Sequence, residues 1–268
     1  MKIIRFTTQE GKEVMGCDWD GKTASIVEQS EDYSFKDTGE RVDVVNVLPP
    51  VEPSSIICIG LNYRRHAKET GQEIPKYPAI FMKYPGSLAG HGDTVLIPKC
   101  AADPPEVDYE AELGVIIKKA AKNVSEEEAL DYVLGYTCTN DVSARRWQKH
   151  AGAFQWTRGK SYDTFCPCGP VMTLTDEIPD PQQLSIKLRL NGETMQDSHT
   201  SDMVFSIANM ISYLSQSSTL LPGTLILTGT PEGVGFTRKP RVYIAPGDVM
   251  EVEIEGIGVL ENPVALEE

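Results

Sequence analysis

Apolar and polar positions alternate along the first 48 residues in the manner of β-strands. The stretches MKIIRFT, VMGCDW and ASIVEQ carry the alternation, and Gly11, Gly16 and Gly21 punctuate it. Pro49-Pro50-Val51-Glu52-Pro53 then reads as a stiff linker. It divides the chain into a small β-rich N-terminal domain, residues 1–50, and a larger domain, residues 51–268.

Beyond the linker, short apolar runs bounded by glycine or proline predict buried strands at Ile56–Gly60, Ala79–Lys83, Thr94–Ile97, Gly223–Thr228 and Val249–Ile254. Longer strand-like runs cover Tyr109–Ile117 and Tyr132–Ser143. Asn191-Gly192, between LSIKLRL and ETMQDS, predicts a tight hairpin. Helices are few. Ser125–Leu134 opens on a Ser-x-x-Glu capping box, Ser125 to Glu128. Ser206–Ser215 gathers Ile207, Met210, Ile211 and Leu214 on one face. Asn62–Thr70 predicts a third, short helix. The fold class is therefore mixed α/β, dominated by β-structure.

Composition adds limits. The chain has 268 residues, 40% of them hydrophobic, an ordinary globular mix with no apolar run of transmembrane length. A formal charge of −14 argues against nucleic acid or an anionic membrane surface as partner. It leaves a small acidic substrate open, because one metal ion and a few cations can reverse the sign inside a pocket. The six cysteines are scattered without a CxxC pair, and the four histidines are equally dispersed. They read as free thiols in a reducing compartment and not as a zinc site. The N-terminus has neither a secretory pattern nor a transit-peptide composition, so the expectation is a cytoplasmic protein, or a mitochondrial one if a leader has been trimmed.

Candidate chemistry lies in five places. Glu110 and Glu112 are two apart on a strand, so they share a face about 7 Å apart at their Cα atoms. A hard divalent cation would relieve their repulsion; the plain alternative is a wet edge strand with Asp108, Glu110 and Glu112 all in solvent. Asp141, at the end of a strand-like run, is either a third ligand or a turn residue. Lys160 either offsets carboxylates or sits in a solvated loop. Gly229, Thr230, Gly233 and Gly235 form a glycine-dense loop after an apolar strand, suited to cradling an anion. His66 and Glu69 are helical neighbours, either a general-base pair or a surface pair.

Together, Gly60-Leu61-Asn62-Tyr63 with His66 and Glu69, Asp108 to Leu113, Asn140 to Arg145, Arg158 to Phe165 with Pro167 and Gly169-Pro170, and Thr228 to Gly235 resemble the fumarylacetoacetate hydrolase superfamily, in that family's order, over roughly residues 54–266. The subgroup most similar is the eukaryotic domain-containing proteins with an oxaloacetate tautomerase-like branch. The resemblance implies a rolled β-sheet core and a homodimer. It implies Mg²⁺, with Mn²⁺ or Ca²⁺ as alternatives, on Glu110, Glu112 and Asp141. It implies Lys160 near the metal as a catalytic residue that helps hold substrate or stabilise charge, Gly229 and Thr230 binding substrate, and His66 with Glu69 as a proton-handling catalytic dyad on a lid. A 2-oxo acid chelated there would be polarised toward its enolate. Keto–enol tautomerisation or decarboxylation of an oxaloacetate-type acid is the first expectation. C–C hydrolysis of acylpyruvate- or fumarylacetoacetate-like β-diketones, isomerisation or hydration of larger 2-oxo dicarboxylates, and an inactive metal-binding dimeric scaffold remain as alternatives.

Overall fold

The structure, a computed structural model, describes residues 1–151 and 154–268. Its backbone is one long sheet rolled around a core and capped by a second sheet. In spatial order the first sheet runs Phe35–Asp43, Thr23–Gln29, Glu13–Cys17, Lys2–Thr7, Cys166–Leu174, Val133–Asn140, Ala111–Ile117, Leu225–Leu227, Ile56–Gly60 and Ala79–Lys83. Neighbours are antiparallel except Leu225–Leu227 with Ile56–Gly60, which run parallel. The second sheet orders Glu193–His199, Ser185–Leu190, Val249–Ile254, Gly258–Leu266 and Val95–Ile97.

Binary pattern explains which strands sit where. In Ser185–Leu190 and Val249–Ile254 alternate residues are buried: Ile186, Leu188 and Leu190, and Met250, Val252 and Ile254. These strands turn one face to the core and the other outward. Ala111–Ile117 and Val133–Asn140 are buried at every position, as expected for central strands covered on both faces. The Asn191-Gly192 hairpin forms with both residues at positive φ, 53° and 79°. Helix α1 spans Arg64–Thr70, α2 Trp156–Lys160 and α3 Ile207–Leu214. Ser206 caps α3 by accepting the Asn209 N–H, and the four apolar residues expected on its inner face are buried.

The Ser125–Leu134 helix is corrected. Half of its capping box forms, with Glu128 N–H donating to Ser125 Oγ, but only a 3₁₀ turn at Ala129–Tyr132 follows. Val133 and Leu134 instead join a central strand, where tertiary pairing outweighs local propensity. The predicted strand Tyr109–Ile117 is interrupted at its start. Asn140 Oδ1 takes the Glu110 N–H and Gln196 Oε1 takes the Ala111 N–H, so regular pairing begins at Ala111. Three long strands carried no clear signal: polar Phe35–Asp43, Gly258–Leu266, and Cys166–Leu174, which holds Pro167, Gly169 and Pro170.

Gly60 ends its strand against the ring of Trp156, the first residue of α2; a Cβ at Gly60 would lie 2.3 Å from Trp156 Cζ3. Gly60→Ala is therefore expected to destabilise the protein by about 1–3 kcal/mol, the usual range for overpacking. A urea midpoint equal to that of the wild type, at equal m-value, would contradict this packing argument.

Candidate active site

The central strands bring the acidic residues together. Ala111 pairs with Asn140 and Glu112 with Thr139, and the Asp141 N–H donates to Glu110 O at 2.8 Å. Glu110 and Asp141 thus face each other across adjacent strand ends, and Glu112 lies two residues inward on the Glu110 face. One carboxylate oxygen from each lies within 4.8 Å of the others, and all three residues are buried. The solvated edge-strand alternative is overturned, and Asp108 is buried as well.

Three buried cations meet three of these four acids. Lys160 Nζ, at the end of α2, donates to Glu110 Oε2 at 2.7 Å, Asp141 Oδ2 at 2.5 Å and Ser143 Oγ at 2.7 Å. Lys83 Nζ donates to Asp141 Oδ1 at 2.5 Å. Arg145 bridges Asp108, through Nε at 2.8 Å, and Glu110, through Nη1 at 2.6 Å. Lys160 is therefore no loop lysine. Burial would lower its pKa, but Asp141 and Glu110 outweigh that and hold it charged. Burial likewise opposes ionisation of Glu110, and Lys160 and Arg145 overcome it, bringing that carboxyl to about 2.

Glu112 differs. It enters none of these ion pairs and accepts the Gly229 N–H at 2.6 Å. Burial, then the charges of Asp141 and Glu110, push its pKa well above the usual carboxylate range. A buried carboxylate beside two others, with no cation of its own, suits a hard divalent ion in both charge and donor chemistry. On this observation the residues fit a divalent metal.

The glycine-dense loop uses its amides on protein carboxylates. Gly229 N–H serves Glu112, Gly233 N–H serves Glu69 Oε1 at 3.0 Å, and Gly235 N–H serves Asp108 Oδ1 at 2.8 Å. At Gly229, φ is +96° and a Cβ would stand 2.7 Å from Asn62 Cβ, so only glycine permits this approach. Thr230 lines the cavity, and its Oγ1 accepts from Gln196 Nε2 at 2.9 Å.

Helix α1 brings His66 into the same cavity. His66 Nδ1 is 3.2 Å from Glu69 Oε2, while Glu69 Oε1 accepts from Thr237 Oγ1 at 2.8 Å. Burial works against the Glu69 carboxylate, but hydrogen bonds from His66, Thr237 and Gly233 hold its pKa below the ordinary value. An ionised Glu69 accepts only, so His66 Nδ1 carries the proton and Nε2 is left for the cavity. The cavity encloses about 540 Å³ counting its open mouth. That volume suits a small acid.

Lys83, Asp108 and Gln196 had no assigned role in the sequence reading. A lysine closing an apolar strand and a glutamine inside a polar strand carry no local mark of burial. Lys83 and Gln196 take their roles from pairings more than 50 residues long, 58 for Lys83 with Asp141 and 85 for Gln196 with Ala111.

The fold and site define a family of enzymes: the chain belongs to the fumarylacetoacetate hydrolase family, whose description "Fumarylacetoacetate (FAA) hydrolase C-terminal" matches residues 55–265. Among curated relatives, a fumarylacetoacetate hydrolase domain-containing protein 2 homolog of Dictyostelium discoideum is 47% identical, over 84% of this chain and 76% of its own. A mitochondrial oxaloacetate tautomerase of Xenopus laevis is 46% identical, over 84% and 69%. Among solved structures, a fumarylacetoacetate hydrolase from Exiguobacterium antarcticum superposes with a TM-score of 0.88 at 35% identity, covering 100% of both chains. Among the described residues, no helix is long and apolar enough to cross a membrane.

Proposed function

We propose that this protein is a Mg²⁺-dependent enzyme that interconverts the keto and enol forms of an oxaloacetate-type 2-oxo acid. The observation that carries the reading is the buried carboxylate triad with one member, Glu112, lacking a cation, set in a small cavity beside an oriented histidine. The names of the Xenopus relative and of a human relative, 43% identical, support oxaloacetate as substrate. Glu110, Glu112 and Asp141 would hold the ion, with Mn²⁺ or Ca²⁺ as substitutes of the same donor preference. When bound, the ion supplies Lewis-acid polarisation of the 2-oxo group.

The chain's own residues supply the rest. His66 Nε2 takes or returns the proton at the carbon next to the oxo group, while Glu69 fixes the ring's tautomer and stabilises the imidazolium. Lys160 holds Glu110 and Asp141 in place and presents positive charge to the developing enolate oxygen. Thr230 offers its hydroxyl proton to the substrate carboxylate, since its oxygen already accepts from Gln196. Decarboxylation of the same acid needs no further group.

A panel of oxaloacetate, acetylpyruvate and fumarylacetoacetate, with Mg²⁺ and with chelator, tests the reading. Metal-dependent turnover of oxaloacetate enol is expected; turnover indifferent to chelator would refute it. His66→Ala is expected to slow that turnover about 10²-fold or more, the usual scale for a general acid–base group, with Mg²⁺ affinity retained. An unchanged rate would remove His66 from the mechanism.

Three coarser points are proposed with it. The edge strand Ala79–Lys83 exposes Ile80 and Met82, and Tyr84 follows them, an apolar stripe that supports a homodimer; light scattering reads the mass directly. The family match beginning at residue 55 supports the division at residue 50, although Lys2–Thr7 pairs with Cys166–Leu174. Two separate unfolding transitions would mark independent units. The compartment in the amphibian and human relatives' names supports a mitochondrial setting over the cytoplasm, and cell fractionation distinguishes the two.

A further inference from the structure

Within a chain of net charge −14, the active-site cavity is lined by three cations, Arg145, Lys149 and Lys160, as well as by the carboxylate triad. Lys149 lies in the helical turn Trp147–Ala151 and lines this cavity. Lys160 and Arg145, its cationic neighbours there, are occupied by buried carboxylates. Lys149 enters no ion pair among the described residues.

Its position is set from beneath. Asp108 accepts the N–H groups of Gly235 and Phe236, at 2.8 and 3.0 Å, which fixes the Phe236 ring against the cavity wall. Lys149 Nζ lies 3.9 Å from the centre of that ring, and Arg145 Cζ lies 4.4 Å from it. A ring this close to two cations attracts both by its quadrupole but neutralises neither. Burial first, then the nearby Arg145 and Arg241, lower the Lys149 pKa against a smaller opposing pull from Glu110 and Asp108. An ammonium held in this way, half out of water and with no carboxylate in ion-pair contact among the described residues, is matched by an anion arriving from solution.

We infer that Lys149 is a specificity-determining residue that receives the distal carboxylate of a dicarboxylic 2-oxo acid whose other end lies at the carboxylate triad. This rests on the function proposed above and narrows it: four-carbon acids with a charged far end are selected over uncharged analogues of the same size.

The test compares oxaloacetate with its 4-methyl ester, which lacks the distal charge, by calorimetric titration of the Mg²⁺-loaded protein. Wild type should bind oxaloacetate more tightly. Lys149→Met should reduce that preference about 10-fold or more, the scale of one hydrogen bond to a charged group, and Lys149→Arg should retain it. A preference unchanged in Lys149→Met, or absent from wild type, overturns the assignment. Oxalate titrated into wild type reports separately on the metal. Metal-dependent oxalate binding with an unchanged Lys149→Met preference sinks only the lysine. Loss of metal-dependent oxalate binding sinks the function proposed above, while a Lys149-dependent preference without turnover leaves the anion site standing and refutes the reaction.

Discussion

Glu112→Gln should abolish divalent-metal binding and, with it, turnover, while leaving the metal-free fold as stable as the wild type or more so. The combination is unusual and follows from one asymmetry. Glu110 and Asp141 are each tied to buried cations, whereas Glu112 makes no ion pair and accepts the Gly229 N–H. Glutamine keeps the size and can keep that hydrogen bond through its carbonyl oxygen. It loses the negative charge that a hard cation needs. The fall in turnover should be at least the roughly 10–100-fold seen when a group merely supporting a metal ligand is removed.

The stability side has a definite sign. The folded pKa of Glu112 lies above its ordinary value, with burial the first cause and the charges of Asp141 and Glu110 next. The unfolded chain therefore releases this proton at lower pH. Between the ordinary carboxylate range and the raised folded value, increasing pH favours unfolding. Glutamine removes that dependence. Calorimetric Mg²⁺ titration and urea midpoints near pH 5 and pH 8 check both halves. Retained Mg²⁺ affinity, or a large loss of stability in the metal-free variant, would contradict the assignment.

Asp141→Ala should behave in the opposite way and unfold the protein readily. Its carboxylate is fully buried and is the ion-pair partner of Lys83 and one of two partners of Lys160. Removing it leaves Lys83 without an ion pair in the interior, a change that typically costs about 3–5 kcal/mol. At roughly 2–4 °C per kcal/mol for a chain of this size, the thermal midpoint should fall by about 10 °C. Loss of activity in this variant would thus report on folding as much as on the metal. A midpoint within about 2 °C of wild type would show that water or a shifted lysine replaces the pairing.

How much of this was legible in the sequence depends on the range over which each interaction acts. The i, i+2 spacing of Glu110 and Glu112 places them on one face wherever a strand forms, and α3 announces itself through Ser206 and its apolar stripe. The order of the five motifs pointed to the family that the fold bears out. Burial was not legible. Asp108, Glu110, Glu112 and Lys160 have the residue types of a surface, and their positions follow from pairings that close over 17 to 127 residues. Cys166–Leu174 was missed because Pro167, Gly169 and Pro170 weaken any strand signal. The register with Val133–Asn140 shifts between Tyr136 and Cys138, next to the Cys138–Gly169 pair, so the strand is kept by a local irregularity. The Ser125–Leu134 helix failed for the converse reason: a sound local start was overruled by the sheet.

The acids at the ends of two central strands also bear on how the chain acquires its shape. The strand bearing Glu112 borders Leu225–Leu227, and the strand that ends just before Asp141 borders Cys166–Leu174, which in turn holds Lys2–Thr7. Such distant closures are slow to form, because loop entropy is spent before the pairing is gained. The carboxylate cluster is therefore expected to be completed late in folding, once these distant pairings have closed. A cation that recognises it stabilises the finished sheet by mass action and has no comparable hold on its precursors. Metal supply would then act on the lifetime of the completed fold and leave the speed of its formation unchanged.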